Sequence, residues 1–375
     1  MSPTRNVTRE QVIAYRVAAQ GLHREGRTVG RLAVLDIGVQ DASPELARLS
    51  FDARLAGPAP ADCIGPGKPL ALVWSLRGAP HVHRRRDLDA LAGALYPLSE
   101  ADATGRLNET GPSLARAGIG ALEQFEAAVA AMRSVVTKPM GKGAASSAVT
   151  KLIPAAMGRN CRGCRAVHIS DPAMRQAALA AGLELQPGTA PPVLHPRAKA
   201  KLAGEPDVRA LQRLTIGYLT LLGPATPADV AGYLDARRAD IAEVWPDGLV
   251  EVSVDGRAAW LPAEQVGALT SAPPPEVVRL LGAFDPYLQA RDRALIVADK
   301  ALHKALWPVL GRPGVLFADG EVAGTWRPRT SGRKLTLKVE PFAPLPPATW
   351  AAIEEEAQRV AAVRGAGELA VTRVE

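Results

Sequence analysis

The sequence is short of aromatic residues, which make up 4% of it, and of cysteine, of which it has 3. So small and odd a number of cysteines in a long chain excludes a disulfide framework and leaves reduced thiols or metal ligation. No run of about 18 apolar residues occurs, so no helix is expected to span a membrane. Residues 1–16 lack the apolar core of a secretory leader, and a cytoplasmic protein is expected. Absent too are the phosphate-cradling Gly-x-x-x-x-Gly-Lys-[Ser/Thr] loop, the Gly-x-Ser-x-Gly nucleophile elbow and the His-Glu-x-x-His zinc pair, which excludes the common forms of those three chemistries.

What is present describes a large, turn-divided globular chain. Its 375 residues can bury two or three cores, 47% of them are hydrophobic, and 34 Gly and 32 Pro divide the pattern. Lys and Arg number 45 against 38 Asp and Glu, a net +7 that favours a polyanionic partner.

The plainest pattern begins at Asp207. Val208, Leu211, Leu214, Tyr218, Leu219 and Leu222 recur at helical spacing until Gly223-Pro224 stops them. Thr226-Pro227-Ala228-Asp229 then supplies a capping hydroxyl, a first-turn proline and an acid, opening a short helix through Leu234. A third helix is expected over 236–244. Strands over 249–254 and 257–261 flank Asp255-Gly256, a dipeptide suited to a two-residue hairpin turn. Helix, short helix, helix and hairpin is the order of a winged helix, in which the third helix faces a DNA groove and the hairpin touches backbone. Arg237, Arg238 and Arg257 sit where such contacts would fall, and a solvated helix face is the competing reading.

Two further units can be read from element order. The first has helices over 8–24, 29–35 and 43–55 and a hairpin of 70–77 with 80–85. The second has helices over 119–136 and 148–157. Residues 191–201, with His195, Arg197, Lys199 and Lys201, look like an exposed basic strap. Beyond Pro273-Pro274-Pro275, strands over 315–318, 321–326 and 334–341 predict a small antiparallel sheet with an Asp319-Gly320 turn. Arg327, Arg329, Arg333 and Lys334 crowd the loop between the last two strands and are the phosphate candidates. The expected organisation is α+β: segments 1–97, 98–195 and 203–272 as tandem winged helices, and 276–375 as a β-rich part.

Asp36-Ile37-Gly38-Val39-Gln40-Asp41 gathers two carboxylates and an amide. Asp41 or Ser43 can cap the following helix. Alternatively, a carboxylate activates a water that the glutamine holds through one donor and one acceptor. Cys161-x-x-Cys164 with His168 has zinc-ligand chemistry but supplies three of the four ligands that a structural site needs, and reduced thiols packed in a core are the other reading. In His81-Val82-His83, alternation puts both imidazoles on one strand face, which suits a metal pair, a phosphate contact or the solvent face of a wing, and Arg84 to Arg86 read as a solvated face.

Gly-Val-Gln-Asp at 38–41, Leu-Ser-Phe-Asp-Ala-Arg-Leu at 49–55, Trp74-Ser75-Leu76-Arg77-Gly78 with His81, Phe284-Asp285-Pro286-Tyr287, Arg291-Asp292-Arg293 and Gly324-Thr325-Trp326-Arg327 occur in an order that resembles the bacterial winged-helix DNA glycosylases of the AlkZ and YcaQ type. The resemblance spans most of the chain. It implies tandem winged helices with a C-terminal β-rich part, and hydrolysis of alkylated or crosslinked purine nucleotides in double-stranded DNA without a cofactor. It further implies that Arg77 and His81 lie near DNA, and a monomer at the nucleoid is expected. The family's catalytic motif is two glutamines, or a glutamine and an aspartate, with one residue between them. Gln40 takes its second position and Gly38 stands at the first, so Asp36 or Asp41 would have to supply the carboxylate. A non-catalytic winged-helix DNA-binding protein or transcriptional regulator is the alternative.

Overall fold

Both Asp-Gly dipeptides make the turns their chemistry favours. Asp255 and Gly256 have φ of 47° and 85°, and Asp319 and Gly320 have 49° and 89°, the left-handed pair that a tight hairpin needs. The computed structural model describes residues 5–43, 45–107, 112–163 and 165–374. Those residues form a mixed α+β chain. It divides into two units, one of Met1–Ala61, Ile216–Asp229 and Asp247–Glu375, the other of Asp62–Thr215 and Val230–Pro246. This division differs from the four consecutive segments of the sequence reading, since residues 5–61 are grouped with the C-terminal part.

In the first unit, helix Arg9–Ala19 starts at a reciprocal cap, in which the Thr8 hydroxyl accepts from Gln11 N and the Gln11 side chain accepts from Thr8 N. Its Val12 and Tyr15 pack with Val252, Val254 and Leu261. The last three belong to the hairpin Leu249–Val254 and Arg257–Pro262, to which Arg5–Val7 adds as a parallel strand. A five-stranded sheet follows in the order Val278–Leu281, Gly314–Ala318, Glu321–Ser331, Lys334–Pro341, Glu368–Arg373, with helix Pro347–Val363 packed on one face. Trp326 anchors that core and donates its indole N–H to Leu281 O at 2.9 Å. Gly314 is required beneath the ring, because a Cβ there would lie 2.3 Å from the indole. Gly314→Ala should therefore destabilise the protein by about 1–3 kcal/mol through overpacking, read as a lower urea midpoint with an unchanged slope.

Arginines tie the N-terminal segment to the later turns and the C-terminal helix of this unit. Arg54 and Asp285 form a two-pronged pair with both N–O distances 2.8 Å and both side chains 0% exposed. Arg16 grips Asp292 in the same way, at 3.0 and 2.6 Å, and Arg24 grips Glu356 at 2.6 and 2.8 Å. Asp52 accepts from Arg359 at 2.8 Å.

The second unit holds strands in the order Pro80–Arg84, Leu70–Trp74, Leu183–Leu185, Val193–Pro196, Met140–Gly141, accompanied by helices Ala121–Val135 and Asp171–Ala180. Ser170 caps the latter by accepting from Ala173 N, and proline occupies its first turn. A separate hairpin pairs Gly158–Cys161 with Ala166–Ile169.

Several expectations are corrected. Residues 29–35 form two 3-10 turns, Val29–Arg31 and Ala33–Asp36, rather than a helix. The helix expected over 148–157 instead begins earlier, in the Gly- and Ser-rich residues 141–147, and spans Lys142–Thr150. The basic strap is half strand: Val193–Pro196 is paired on both sides, and Arg197 reaches Asp89 at 2.9 Å. The cationic loop near 327–334 is mostly strand too, since pairing runs out to Ser331 and Lys334.

Candidate active site

Asp36, Gln40 and Asp41 lie on consecutive short elements of the first unit, in different surroundings. Asp36 ends a 3-10 turn with its side chain exposed. Helix Val208–Leu222 approaches here through Gly217, whose missing Cβ would stand 3.4 Å from Ile37 Cγ2 and 3.5 Å from Asp36 Cβ. Gly38 turns the chain with φ of 79°, a conformation that costs a glutamine about 1–3 kcal/mol. Gln40 follows in the two-residue strand Val39–Gln40 and is 9% exposed.

Asp41 is half-buried ahead of helix Leu46–Asp52, and its Oδ1 accepts from Ala47 N at 3.0 Å. The helix-capping role is therefore real, and it falls to Asp41: Glu45 at the helix start makes no side-chain cap. The helix N–H groups favour the ionised carboxylate. Burial outweighs them, with the nearby Glu45 charge acting in the same direction, and pushes the carboxyl up from 3.8 to about 6. A carboxylate in that range is largely ionised at neutral pH yet still basic enough to take a proton from water.

The residues expected at DNA fall into three groups. His81 is 1% exposed, its Nδ1 donates to Ala79 O at 3.0 Å, and burial followed by the Arg77 charge drives it well below its ordinary value. A neutral, enclosed imidazole is no phosphate contact, which corrects that expectation. His83 is equally enclosed, at about 3, with Nε2 3.1 Å from Ser75 Oγ. Arg77 is turned inward as well: it donates to Tyr233 O and lies 5.1 Å from the Tyr233 ring centroid. Of the three arginines read as a solvated face, only Arg86 is exposed; Arg84 is 9% exposed and Arg85 grips Glu184 at 2.8 Å.

Arg237, Arg238 and Arg257 are exposed, although Arg237 also leans on Asp240 at 3.1 Å. The third group is the most organised. Arg327 faces Lys338 across the strand pair, Arg329 faces Thr336 and Ser331 faces Lys334. The period of two puts these on one face, opposite Trp326, Leu335 and Leu337 in the core. Arg333 stands in the turn and is exposed.

Cys161 and His168 share one face of the hairpin Gly158–Cys161 and Ala166–Ile169. Donation from His168 Nδ1 to Ile169 O, followed by a hydrogen bond with Cys161, raises the His168 imidazole above its ordinary value. Cys164 lies outside the described residues. No group of three His, Cys, Asp or Glu side chains arranged to hold a metal ion occurs among the described residues.

Sequence reasoning missed an open cleft of about 360 Å³ in the first unit, lined by Ser43, Leu46, Phe284, Leu310, Arg312 and Trp326 among others. Ser43 is two residues past Asp41, so the cleft opens beside the carboxylate-bearing segment. The available signal was the apolar Val309-Leu310 dipeptide bounded by Pro308 and Gly311.

No helix among the described residues is long and apolar enough to cross a membrane. The chain aligns with the interstrand DNA cross-link repair glycosylase of Streptomyces sahachiroi at 30% identity over 178 residues, 44% of this chain and 46% of that protein. It thus spans about half the length of the curated relative it matches. The solved structure of the Streptomyces sahachiroi DNA glycosylase AlkZ superposes with a TM-score of 0.74 at 22% identity, covering 98% of this chain and 100% of that one, which establishes a shared fold. The profile of the family described as DNA glycosylase AlkZ-like matches residues 29–363. With that match running over nearly the whole chain, the protein belongs to the AlkZ-like DNA glycosylase family.

Proposed function

We propose that the protein hydrolyses the N-glycosidic bond of purines alkylated at N7 or N3 in double-stranded DNA, and unhooks interstrand crosslinks formed through such purines. The observation that carries this reading is the half-buried Asp41 carboxyl, held near 6 one residue from the buried Gln40. An alkylated purine is already cationic, so it leaves with the C1′–N electron pair and needs neither a protonating acid nor a cofactor. Positive charge builds on the sugar as the bond opens, and a nearby carboxylate stabilises it. Gln40 orients a water, Asp41 takes its proton, and the water oxygen bonds to C1′. Asp36, exposed on its turn, is the less suited carboxylate, because solvent competes for it.

Residues 207–261 are read as one of three tandem winged helices, with Arg237, Arg238 and Arg257 toward backbone, and the face bearing Arg327, Arg329 and Lys334, with Arg333 beside it, toward phosphates. The segments 1–97, 98–195, 203–272 and 276–375 describe that element order, with the last as the β-rich part. The protein acts as a monomer at the nucleoid. Any structural zinc would be held by Cys161, Cys164 and His168 with a further ligand.

One feature favours a second reading: Gly38 leaves the first motif position without a side chain, as in a binder that has lost the reaction. Duplex carrying N7-methylguanine or a nitrogen-mustard crosslink separates the two. Alkali-labile abasic sites appear if the proposal holds. A folded protein that releases no base, yet retains one promoter sequence without lesion preference, is a regulator.

A further inference from the structure

Residues 307–313, Trp-Pro-Val-Leu-Gly-Arg-Pro, hold two aliphatic side chains in water, with Val309 97% and Leu310 86% exposed. The next most exposed large hydrophobic residue among those described, Leu152, is at 58%, so this dipeptide stands apart from ordinary surface leucines and valines. The loop is braced. Arg312 Nε donates to Pro308 O at 3.4 Å, Arg327 Nη1 donates to Gly311 O at 2.8 Å, and the Arg312 guanidinium stacks 5.0 Å from the Phe284 ring centroid. Leu310 and Arg312 also line the cleft that Ser43 shares, so the tip stands beside the segment carrying Gln40 and Asp41.

Cations without carboxylates surround this tip. Arg293 lies 5.0 Å from the Trp307 ring centroid, and Arg291 Nε is buried with no hydrogen-bond partner. Asp292, between them, is committed to Arg16 at 2.6 Å. Among the described residues no ion pair joins Arg291, Arg293 or Arg312 to an acid. Burial, and then the charge of Arg291 on Arg293 and of Arg293 and Arg291 on Arg312, lowers both below the ordinary arginine value. An anion bound among them relieves that repulsion.

We propose that this tip is a wedge for duplex DNA, with Val309 and Leu310 entering the base stack beside a distorted pair while Arg291, Arg293 and Arg312 hold the flanking phosphates. An apolar point ringed by unpaired cations combines the two chemistries of that target, the faces of unstacked bases and the charged backbone. The inference rests on the proposed function for its partner and not for its reaction.

Anisotropy titrations with an undamaged duplex, and with one carrying an abasic-site analogue beside 2-aminopurine, test it. V309S/L310S alters only exposed side chains. It should keep wild-type affinity and salt dependence on the undamaged duplex, but lose the preference for the damaged one and the rise in 2-aminopurine fluorescence. R293Q/R312Q should weaken binding to both duplexes and reduce the slope of log K against log salt by about one for each phosphate no longer neutralised. Wild-type behaviour of V309S/L310S in every readout overturns the wedge, as does sedimentation showing that the tip joins two copies of the chain while DNA binding is unaffected by its loss. Base release is not the readout. A protein that binds and wedges but excises nothing refutes the proposed reaction alone, and one that excises with an inert tip refutes the wedge alone.

Discussion

Asp285→Ala should lower the free energy of unfolding by about 3–5 kcal/mol, because it strands a buried guanidinium. Arg54 has no solvent to fall back on: its side chain is 0% exposed, and its other bonds go to Ser50 O at 2.8 Å and Gln20 Oε1 at 2.9 Å. The carboxylate it would lose also accepts from Tyr287 N at 3.0 Å, so the turn Pro286–Gln289 loses its cap in the same substitution. Urea titration followed by circular dichroism measures the loss. Arg54→Met combined with Asp285→Leu should recover most of it, since the expense lies in the unpaired charge rather than in the absence of the pair. A single Asp285→Ala variant within about 1 kcal/mol of wild type would mean that Arg54 finds water or another partner, and would remove this pair as a structural tie.

Gln40→Ala and Asp41→Asn should each reduce base excision by about 10²- to 10⁴-fold, the usual span for losing a positioned proton acceptor or the group that aligns its water. Single-turnover measurement on N7-methylguanine duplex keeps product release out of the comparison. For wild type, the rate should rise with pH and level off above about 6, where Asp41 becomes ionised. Asp41→Asn should flatten that limb. Its fold should survive, because an asparagine oxygen can still accept from Ala47 N. Stability supplies a second check with a definite sign. The Asp41 carboxyl is raised from an ordinary 3.8 to about 6 in the folded protein, so ionisation is disfavoured by folding, and stability falls as pH rises through that window. Asp41→Asn should therefore melt above wild type at pH values over about 6 and converge with it near 3.8. If Gln40→Ala and wild type excise equally, the site is elsewhere even where the activity is real.

The elements that the sequence disclosed are those whose cause is local. Periodic leucines and a Gly-Pro stop define helix Val208–Leu222, and Asp-Gly defines both turns, since a few consecutive residues decide each outcome. What escaped depends on distant partners. Val193–Pro196 reads as part of a basic strap because His195, Arg197, Lys199 and Lys201 dominate the stretch around it, and it becomes a strand through neighbours at Leu183–Leu185 and Met140–Gly141. His81 and His83 alternate as a solvent face would, but their strand is covered on both sides, so alternation carried no exposure information.

The motifs that signal the family are similarly silent about their work. Within 49–55 and 284–293, Asp52, Arg54, Asp285 and Asp292 prove to be structural ties, while the proposed chemistry is assigned to the less conspicuous Gln40 and Asp41. The raised Asp41 carboxyl could not be read from sequence at all, because burial sets it.

The arginine ties also constrain how the protein is made. Arg54 and Asp285 are 231 residues apart, Arg16 and Asp292 276, and Arg24 and Glu356 332. At about 5–20 residues per second, a ribosome exposes each of these arginines on the order of ten seconds or more before the carboxylate that will neutralise it emerges. The N-terminal segment therefore waits unfinished during synthesis. Dependence on chaperones, and sensitivity of soluble yield to elongation rate, should be concentrated in this half of the chain.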